Sequence, residues 1–207
     1  MDLNADCKRI DMPDEQLVRS YRRGDQQAFS QLIERYQQEL YRFLVRFVRD
    51  RAAAEDVFQD TFLQVHVSID TFQTSKRFKP WLFTIAANKA RDYLRRSKRR
   101  AATQLSSPVQ PGSDEDRDRQ FLDLLEANLP LPDDETAQQE TADLVRAVVD
   151  GLPEHLREIL LLAYFHQFSY KQVAEVLHIP LGTVKSRLHA AVGTFAQRWK
   201  QKLEQSN

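Results

Sequence analysis

Apolar residues recur at intervals of three or four positions in two separate blocks of this 207-residue chain. Such spacing places them on one face of an α-helix, where they can share a core. The pattern is clearest at Phe29, Ile33, Tyr36, Leu40, Leu44 and Phe47. No segment alternates apolar and polar residues as a strand does, and five glycines are few for a turn-rich β fold. We therefore predict an all-α protein.

The start of the first block carries local helix signals. Asp14 can cap a short helix that runs to Arg23. Gly24 suits a left-handed helix end, and Asp25 can cap the second helix. These signals predict two consecutive helices that are separated by a tight turn.

Two further helices are expected before a change in composition. The third should follow Arg51, and the fourth should cover about 81–99, with Pro80 at its first position. The segment 101–132 is rich in serine, proline and acidic residues, which is typical of a linker. Helical spacing resumes at about Asp133.

These boundaries predict two small helical domains joined by a flexible acidic linker. The parts are an N-terminal tip (1–13), a first domain (14–100), the linker (101–132) and a second domain (133–207). The second domain contains the helix-turn-helix pattern described below.

Several classes of protein are excluded by composition. The lone cysteine, Cys7, rules out a disulfide framework and a multi-cysteine zinc site. The acidic N-terminus lacks the apolar core of a signal peptide. The longest apolar run, over 159–165, is far shorter than the roughly 20 residues that span a bilayer. We expect a soluble cytoplasmic protein with no membrane insertion and no cofactor.

Charge is strongly sorted along the chain although the net charge is zero. Residues 76–100 carry ten basic side chains and one acidic side chain, whereas residues 101–143 carry two basic and eleven acidic ones. A dense basic segment is typical of a surface that binds a polyanion. A merely solvated helix face is the alternative explanation.

The sharpest pattern lies between Ser169 and Leu188, where two short predicted helices flank a break at 179–182. This arrangement is typical of a helix-turn-helix, whose second helix enters the major groove of DNA. That helix should begin at Thr183, which can also cap it. A plain helical hairpin with solvated cations is the alternative. The candidate DNA contacts are Thr183, Lys185, Ser186, Arg187 and His189.

A polar stripe follows the predicted fourth helix at Thr84, Asn88, Arg91 and Arg95. Asparagine and arginine are the side chains best suited to reading base edges. Phe72, Phe78 and Trp81 lie at its N-terminal end, and aromatic rings beside cations suit single-stranded nucleic acid. Core packing is an equally good explanation for Trp81 taken alone.

The predicted third helix carries an acidic cluster at Glu55, Asp56 and Asp60, together with Gln59 and His66. Asp56 and Asp60 are neighbours at i, i+4, where like charges are mildly destabilising. A basic protein partner, a metal site and a solvated face all remain open. The metal site is the weakest of these because no second acidic or histidine pair is nearby.

Several segments together resemble the extracytoplasmic-function (group IV) sigma factors of bacterial RNA polymerase. The resemblance covers about 14–100 and 133–203. It rests on the segments AEDVFQDTF (54–62), WLFTIAAN (81–88), ARDYLRR (90–96), LP (152–153), YKQVA (170–174) and GTVKSRL (182–188).

The resemblance implies a sigma factor that binds core polymerase, recognises a promoter, opens the DNA and starts transcription. The third helix would dock on the polymerase β′ subunit through Glu55, Asp56, Gln59, Asp60 and Phe62. The −10 promoter element would be opened and read by Lys76, Arg77, Phe78, Trp81, Asn88, Arg91, Arg95 and Arg96. The helix-turn-helix would read the −35 element.

The same resemblance implies promoter DNA, both duplex and single-stranded, as a second partner, and it raises an anti-sigma factor as a third. It implies no catalytic residues and no metal. A stand-alone helix-turn-helix regulator and a helical hydrolase built on Asp56, Asp60 and His66 are the competing hypotheses.

Overall fold

The computed structural model describes residues 12–102 and 144–206, and every regular element in these ranges is helical. The described residues form two compact units: the first holds 12–101 and the four residues Glu175–His178, and the second holds 102, 144–174 and 179–206. Most of the helix that contains Glu175–Leu177 lies in the second unit. This agrees with the predicted all-α fold with two helical domains. The predicted tip and acidic linker fall outside the described residues, apart from 12–13 at the end of the tip and 101–102 at the start of the linker.

The first unit begins with helices α1 (Asp14–Arg22) and α2 (Gln26–Val48), which pack on each other. Gly24 has φ +101° at the end of α1, and the Asp25 carboxylate accepts the Gln27 N–H at the start of α2, as predicted.

The cap predicted at Asp14 is wrong. Pro13 holds the N-cap position, and Asp14 lies inside the first turn of α1. Its carboxylate instead accepts hydrogen bonds from Tyr36 and Arg35 on α2. Burial first, and then the bond to Asp14, raise the pKa of Tyr36 above its ordinary value. A negative charge in the first turn of α1 still favours that helix end.

Helix α3 (Arg51–Ser68) continues into a 3₁₀ turn (Ile69–Thr71), and α4 (Phe78–Ala102) follows a short loop. The loop spans 72–77. Pro80 is therefore the third residue of α4 and not the first. A proline is still accommodated there because the first four N–H groups of a helix have no partner within it.

The core of the first unit is aromatic and aliphatic. The Phe43 ring stacks on Phe47 at 5.7 Å and meets Phe83 of α4 at 5.4 Å. Phe83, Ala86, Ala87 and Ala90 of α4 are fully buried. This small-residue face lets the polar side of α4 point to solvent.

In the second unit a helix over 144–151 precedes α6 (Glu154–Leu160), so we designate the former α5. A single π-helical stretch (Leu161–Phe165) extends α6. Helices α7 (Tyr170–Leu177) and α8 (Leu181–Ser206) follow, and α8 packs on α6. Arg157 is buried, and its guanidinium donates to the carbonyl oxygens of Asp150 and Leu152 at the end of α5.

Candidate functional site

The helix-turn-helix is built by local hydrogen bonds at both ends of α7. The Ser169 hydroxyl accepts the Gln172 N–H, and the Gln172 side-chain oxygen accepts the Ser169 N–H at 2.9 Å. This reciprocal pair is a capping box. At the other end His178 N–H bonds to Glu175 and Ile179 N–H bonds to Ala174.

These last two bonds form a Schellman motif, which normally has glycine in its left-handed position. Here His178 holds that position with φ +54°. Histidine is one of the residue types that tolerate it. The turn therefore closes at His178, and Gly182 lies within the first turn of α8.

Helix α8 begins two residues earlier than predicted, at Leu181. Thr183 consequently does not cap the helix, because it lies in the first turn. The early start is stabilised by Val184 N–H, which bonds to the Pro180 carbonyl at 3.1 Å. Buried Val184, Leu188 and Ala191 form the inner face of α8.

The predicted DNA contacts of α8 lie on its outer part. Lys185 and Ser186 are exposed, whereas Thr183, Arg187 and His189 are partly buried. Arg187 is close enough to His155 of α6 to affect its titration: burial first, and then the Arg187 charge, lower the pKa of His155. The guanidinium therefore lies on the flank of α8 that faces α6.

Helix α4 presents the predicted polar stripe to solvent. Asn88, Arg95 and Arg96 are exposed, and Arg91 is partly exposed. The Arg91 guanidinium donates to Asn88 Oδ1 at 2.8 Å. Arg95 approaches Asp92 at 3.6 Å, an exposed ion pair of the kind that contributes little stability. The stripe is therefore a continuous cationic surface.

The aromatic residues at the start of α4 have different exposures. Phe78 is completely buried, and its ring contacts Tyr36, Phe72 and Trp81. This burial does not favour the predicted direct contact of Phe78 with DNA, which stays a prediction. Trp81 is partly exposed and rests against Phe72 at 4.9 Å between ring centres. Phe78 supports Trp81 from beneath.

The loop 72–77 borders a cavity of about 350 Å³. Lys76 and Arg77 are exposed on the loop side, and α1 supplies the opposite wall. The residues that line the cavity are Pro13, Glu15, Gln16, Arg19, Thr74, Ser75, Lys76 and Arg77. It is therefore an open, polar and largely cationic recess.

One face of α3 is exposed and acidic. Glu55, Asp56, Gln59 and Asp60 all lie on the surface. Phe62 is 8% exposed and packs against the partly buried Phe58, which does not favour the predicted direct contact.

Sequence reasoning missed two apolar residues on this face. Leu63 and Val67 are 63% and 74% exposed. With Asp56, Gln59 and Asp60 they occupy positions i, i+3, i+4, i+7 and i+11, which share one side of a helix. Their spacing could have indicated a shared face, but α3 has apolar residues on several sides, so spacing alone does not show which side is exposed. We call these five residues the α3 face.

The alternative metal or catalytic site on α3 gains no support from the geometry. His66 Nδ1 is hydrogen-bonded to the Tyr21 hydroxyl at 2.6 Å. Within 12–102 and 144–206, no three His, Cys, Asp or Glu side chains come close enough together to hold a metal ion. The helices of the same ranges include none that could cross a membrane.

Two family models match this chain. The Sigma-70 region 2 model matches residues 32–100, and the Sigma-70, region 4 model matches residues 142–194. The first match covers α3 and the cationic stripe of α4. The second covers the helix-turn-helix.

Named relatives match over nearly their whole length. The chain is 33% identical to the RNA polymerase sigma-H factor of Pseudomonas aeruginosa over 183 residues, which cover 86% of this chain and 89% of that protein. It is 31% identical to the ECF RNA polymerase sigma-E factor of Haemophilus influenzae, over 87% of this chain and 92% of that one.

Solved structures share the fold. The sigma factor RpoE of Bartonella quintana, in complex with the anti-sigma factor NepR, is 26% identical with a TM-score of 0.58, over 83% of this chain and 96% of that one. CnrH, in complex with the cytosolic domain of CnrY, has a TM-score of 0.60 at 23% identity, over 89% of this chain and 95% of that one.

Proposed function

Because this chain belongs to the extracytoplasmic-function family of RNA polymerase sigma factors, we propose which of its surfaces carry each step of initiation. As a sigma factor it binds core RNA polymerase and directs promoter recognition, DNA opening and transcription initiation. The first unit would bind polymerase and the −10 element, and the second unit would bind the −35 element.

One observation carries this assignment of surfaces. The first unit exposes an acidic and apolar face on α3 and a cationic face on α4. A charged surface attracts a partner whose surface carries the opposite charge. A unit that holds both suits a subunit that joins a basic protein surface to DNA, and a stand-alone DNA-binding regulator has no use for the α3 face.

The α3 face is the proposed polymerase-docking surface. Its carboxylates would steer the approach to a basic partner, and Leu63 and Val67 would supply the apolar contact area that exposed charges lack. Glu55 borders this face and would contribute to the attraction. Phe62 holds α3 in place from the core.

The cationic stripe of α4 is the proposed −10 surface. Asn88, Arg91, Arg95 and Arg96 would contact bases and phosphates, and Trp81 would offer a ring edge for stacking.

The polar cavity beside loop 72–77 would receive a base that has left the duplex. Extruding a base costs a few kcal/mol, which a complementary pocket can offset. Lys76 and Arg77 would hold the neighbouring phosphates.

Helix α8 is the proposed −35 reader. Its exposed Lys185 and Ser186 can reach base edges in the major groove. His189, at i+4 from Lys185, would extend this face by one turn. Thr183 and Arg187 lie at its flank, where phosphate contacts are expected. The Arg187 charge, which together with burial lowers the pKa of His155, would strengthen phosphate binding on this flank.

The first test is co-elution with bacterial core RNA polymerase. The wild-type protein should co-elute, and the double variant Asp56→Arg/Asp60→Arg should not. The matched control compares Asp56→Arg with Glu34→Arg, because Glu34 is an exposed acidic residue on α2 that lies outside the α3 face. Both single variants change the charge by the same amount, and only Asp56→Arg should weaken binding.

Equal effects of Asp56→Arg and Glu34→Arg would contradict the docking surface. If the wild type failed to co-elute and bound duplex DNA tightly by itself, the stand-alone regulator would replace this proposal. Leu63→Ser/Val67→Ser tests the apolar part of the face in the same assay, and it should weaken binding without altering the charge.

Four further expectations belong to this proposal. An anti-sigma factor would be a partner, as NepR is in the structure of the Bartonella quintana protein. The protein would have no catalytic residues of its own, and it would act in the cytoplasm, where bacterial polymerase meets DNA. The acidic segment over 101–132 would thread along basic channels of polymerase, although that segment lies outside the described residues.

A further inference from the structure

Side chains on one side of α1 contact the loop 72–77 at three places: where it begins, in its middle and where it ends. Glu15, Arg19 and Arg22 occupy positions i, i+4 and i+7 of α1, so their side chains stand in a row. Each forms a hydrogen bond to a residue more than 45 positions further along the chain. The three contacts have distinct targets.

Arg22 fastens the beginning of the loop. Its guanidinium donates hydrogen bonds to the carbonyl oxygens of Ile69 and Phe72. These carbonyls lie at the C-terminal end of α3 and its 3₁₀ turn, where the Ile69 carbonyl also accepts the Phe72 N–H. A cation is also favoured at that end by the helix dipole. Arg22 is thus a C-cap supplied by another helix.

Glu15 fastens the end of the loop. Its Oε1 accepts the backbone N–H of Phe78, the first residue of α4, at 3.1 Å. The first N–H groups of a helix need such an acceptor, and a carboxylate is favoured there. Glu15 is thus the corresponding N-cap, again supplied by α1.

Arg19 holds the middle of the loop. Its Nε and Nη2 both donate to Thr74 Oγ1 at 3.3 Å. The contact is exposed and long, so we expect it to be the weakest of the three. It nevertheless holds Thr74, which lies in the loop between the two caps.

The same side of α1 forms the wall of the cavity. Glu15 and Arg19 line the cavity directly, and Thr74 lines it from the loop. The distance between the two walls is therefore set by contacts in which these side chains take part.

We propose that Glu15, Arg19 and Arg22 are positioning residues that hold loop 72–77 in the conformation that admits an unpaired promoter base. This inference rests on the proposed function of the cavity. Restraining the loop beforehand removes ordering entropy that binding would otherwise have to overcome. None of the three side chains is required to touch the DNA.

The test uses holoenzyme assembled from core polymerase and the full chain. The variants are Arg22→Ala, Glu15→Ala and Arg19→Ala, with Glu15→Gln as the conservative change, since its amide oxygen can still accept the Phe78 N–H. Arg23→Ala is the charge-matched control, because Arg23 is an exposed neighbour of Arg22. The probe is the single non-template strand of a promoter that the wild-type holoenzyme opens in vitro.

We expect Arg22→Ala and Glu15→Ala to weaken single-strand binding about tenfold, the effect of losing one hydrogen bond to a charged group. Arg19→Ala should have a smaller effect. Glu15→Gln and Arg23→Ala should resemble the wild type. Affinity for core polymerase and for the duplex −35 element should be unchanged in every variant, which a merely structural role would not predict.

If Arg22→Ala, Glu15→Ala and Arg19→Ala all bind the single strand as tightly as the wild type does, this inference is overturned and the proposed function of the cavity still stands. The same holds if Arg23→Ala loses as much as Arg22→Ala, or if losses of core affinity account for the whole change. A wild-type holoenzyme that opens promoters but does not bind the single strand would overturn the proposed cavity and the inference with it.

Discussion

The turn of the helix-turn-helix and the loop 72–77 both face proposed DNA contacts, but they are held in opposite ways. The turn after α7 is closed by backbone bonds between neighbours, from His178 to Glu175 and from Ile179 to Ala174. The loop is held by side chains of α1, which lie about fifty positions earlier in the chain. One shape follows from local sequence and the other depends on the assembled unit.

The two ways of holding a segment suit two kinds of DNA contact. A rigid reader of intact duplex gains from a turn that forms with its helices, because the major groove has a fixed shape. The loop, which would capture an unstacked base, is shaped instead by contacts with α1. We therefore expect the loop, and not the turn, to respond to changes elsewhere in its unit.

The largest expected effect is that of Phe78→Ala at the end of the loop. Phe78 is fully buried among Tyr36, Phe72 and Trp81, and removing such a ring typically costs about 3–5 kcal/mol. Chemical denaturation of the first unit should show this loss. A near-zero change would mean that the loop is not anchored in the core.

A smaller effect is expected at the turn, from His178→Val. His178 has φ +54°, and a β-branched residue in the left-handed region costs about 1–2 kcal/mol. His178→Gly should be tolerated, since glycine is the usual residue of this motif. Denaturation curves of the two variants measure the difference. If valine and glycine behave alike, the turn is not set by its own backbone.

Breaking the capping box should have a similar or smaller effect. Ser169→Ala removes the hydroxyl that accepts the Gln172 N–H, and losing an N-cap usually costs about 1 kcal/mol. Duplex binding should fall only as far as the folded fraction of the second unit falls, while single-strand binding by holoenzyme should not change. Loss of single-strand binding would show that the two regions are not independent.

The smallest expected effect is a pH dependence confined to the second unit. Burial, with the Arg187 charge, lowers the pKa of His155 in the folded state. The unfolded chain then binds the proton more readily, so stability is present above pH 6.5 and is lost as the pH falls below it. Thermal unfolding between pH 8 and pH 5 should show this loss, and His155→Gln should reduce it. An unchanged slope in His155→Gln would assign the effect to other groups.

The parts of this fold that sequence could predict are the parts that neighbours determine. The helical spacing, the positive φ of Gly24 and the Asp25 cap all depend on residues within one or two turns. The helix-turn-helix was identified for the same reason. Its capping box was also visible in the sequence, as Ser169 followed three residues later by Gln172.

The two capping errors arose where another contact competes with a favourable N-cap residue. Asp14 is a good N-cap residue, but its carboxylate is engaged by Arg35 and Tyr36 of α2. Thr183 is another, but α8 starts earlier because Pro180 supplies the first carbonyl acceptor.

The burial of Phe62 and the exposure of Leu63 could not be assigned from spacing. Helix α3 is apolar on more than one side, so periodicity alone does not show which side meets the core. The burial of Phe78 was missed for a related reason, because its aromatic neighbours include Tyr36 of α2, forty-two positions away.

The bond between Arg91 and Asn88 would affect base reading on α4. A base that binds through Asn88 Oδ1 would either share this oxygen with the guanidinium, through its second lone pair, or displace the guanidinium. A base of the wrong shape leaves the internal pair closed and gains little. For a base that displaces the guanidinium, the lost bond would be subtracted from the binding free energy, so the pair would lower the affinity of Asn88 for any such base.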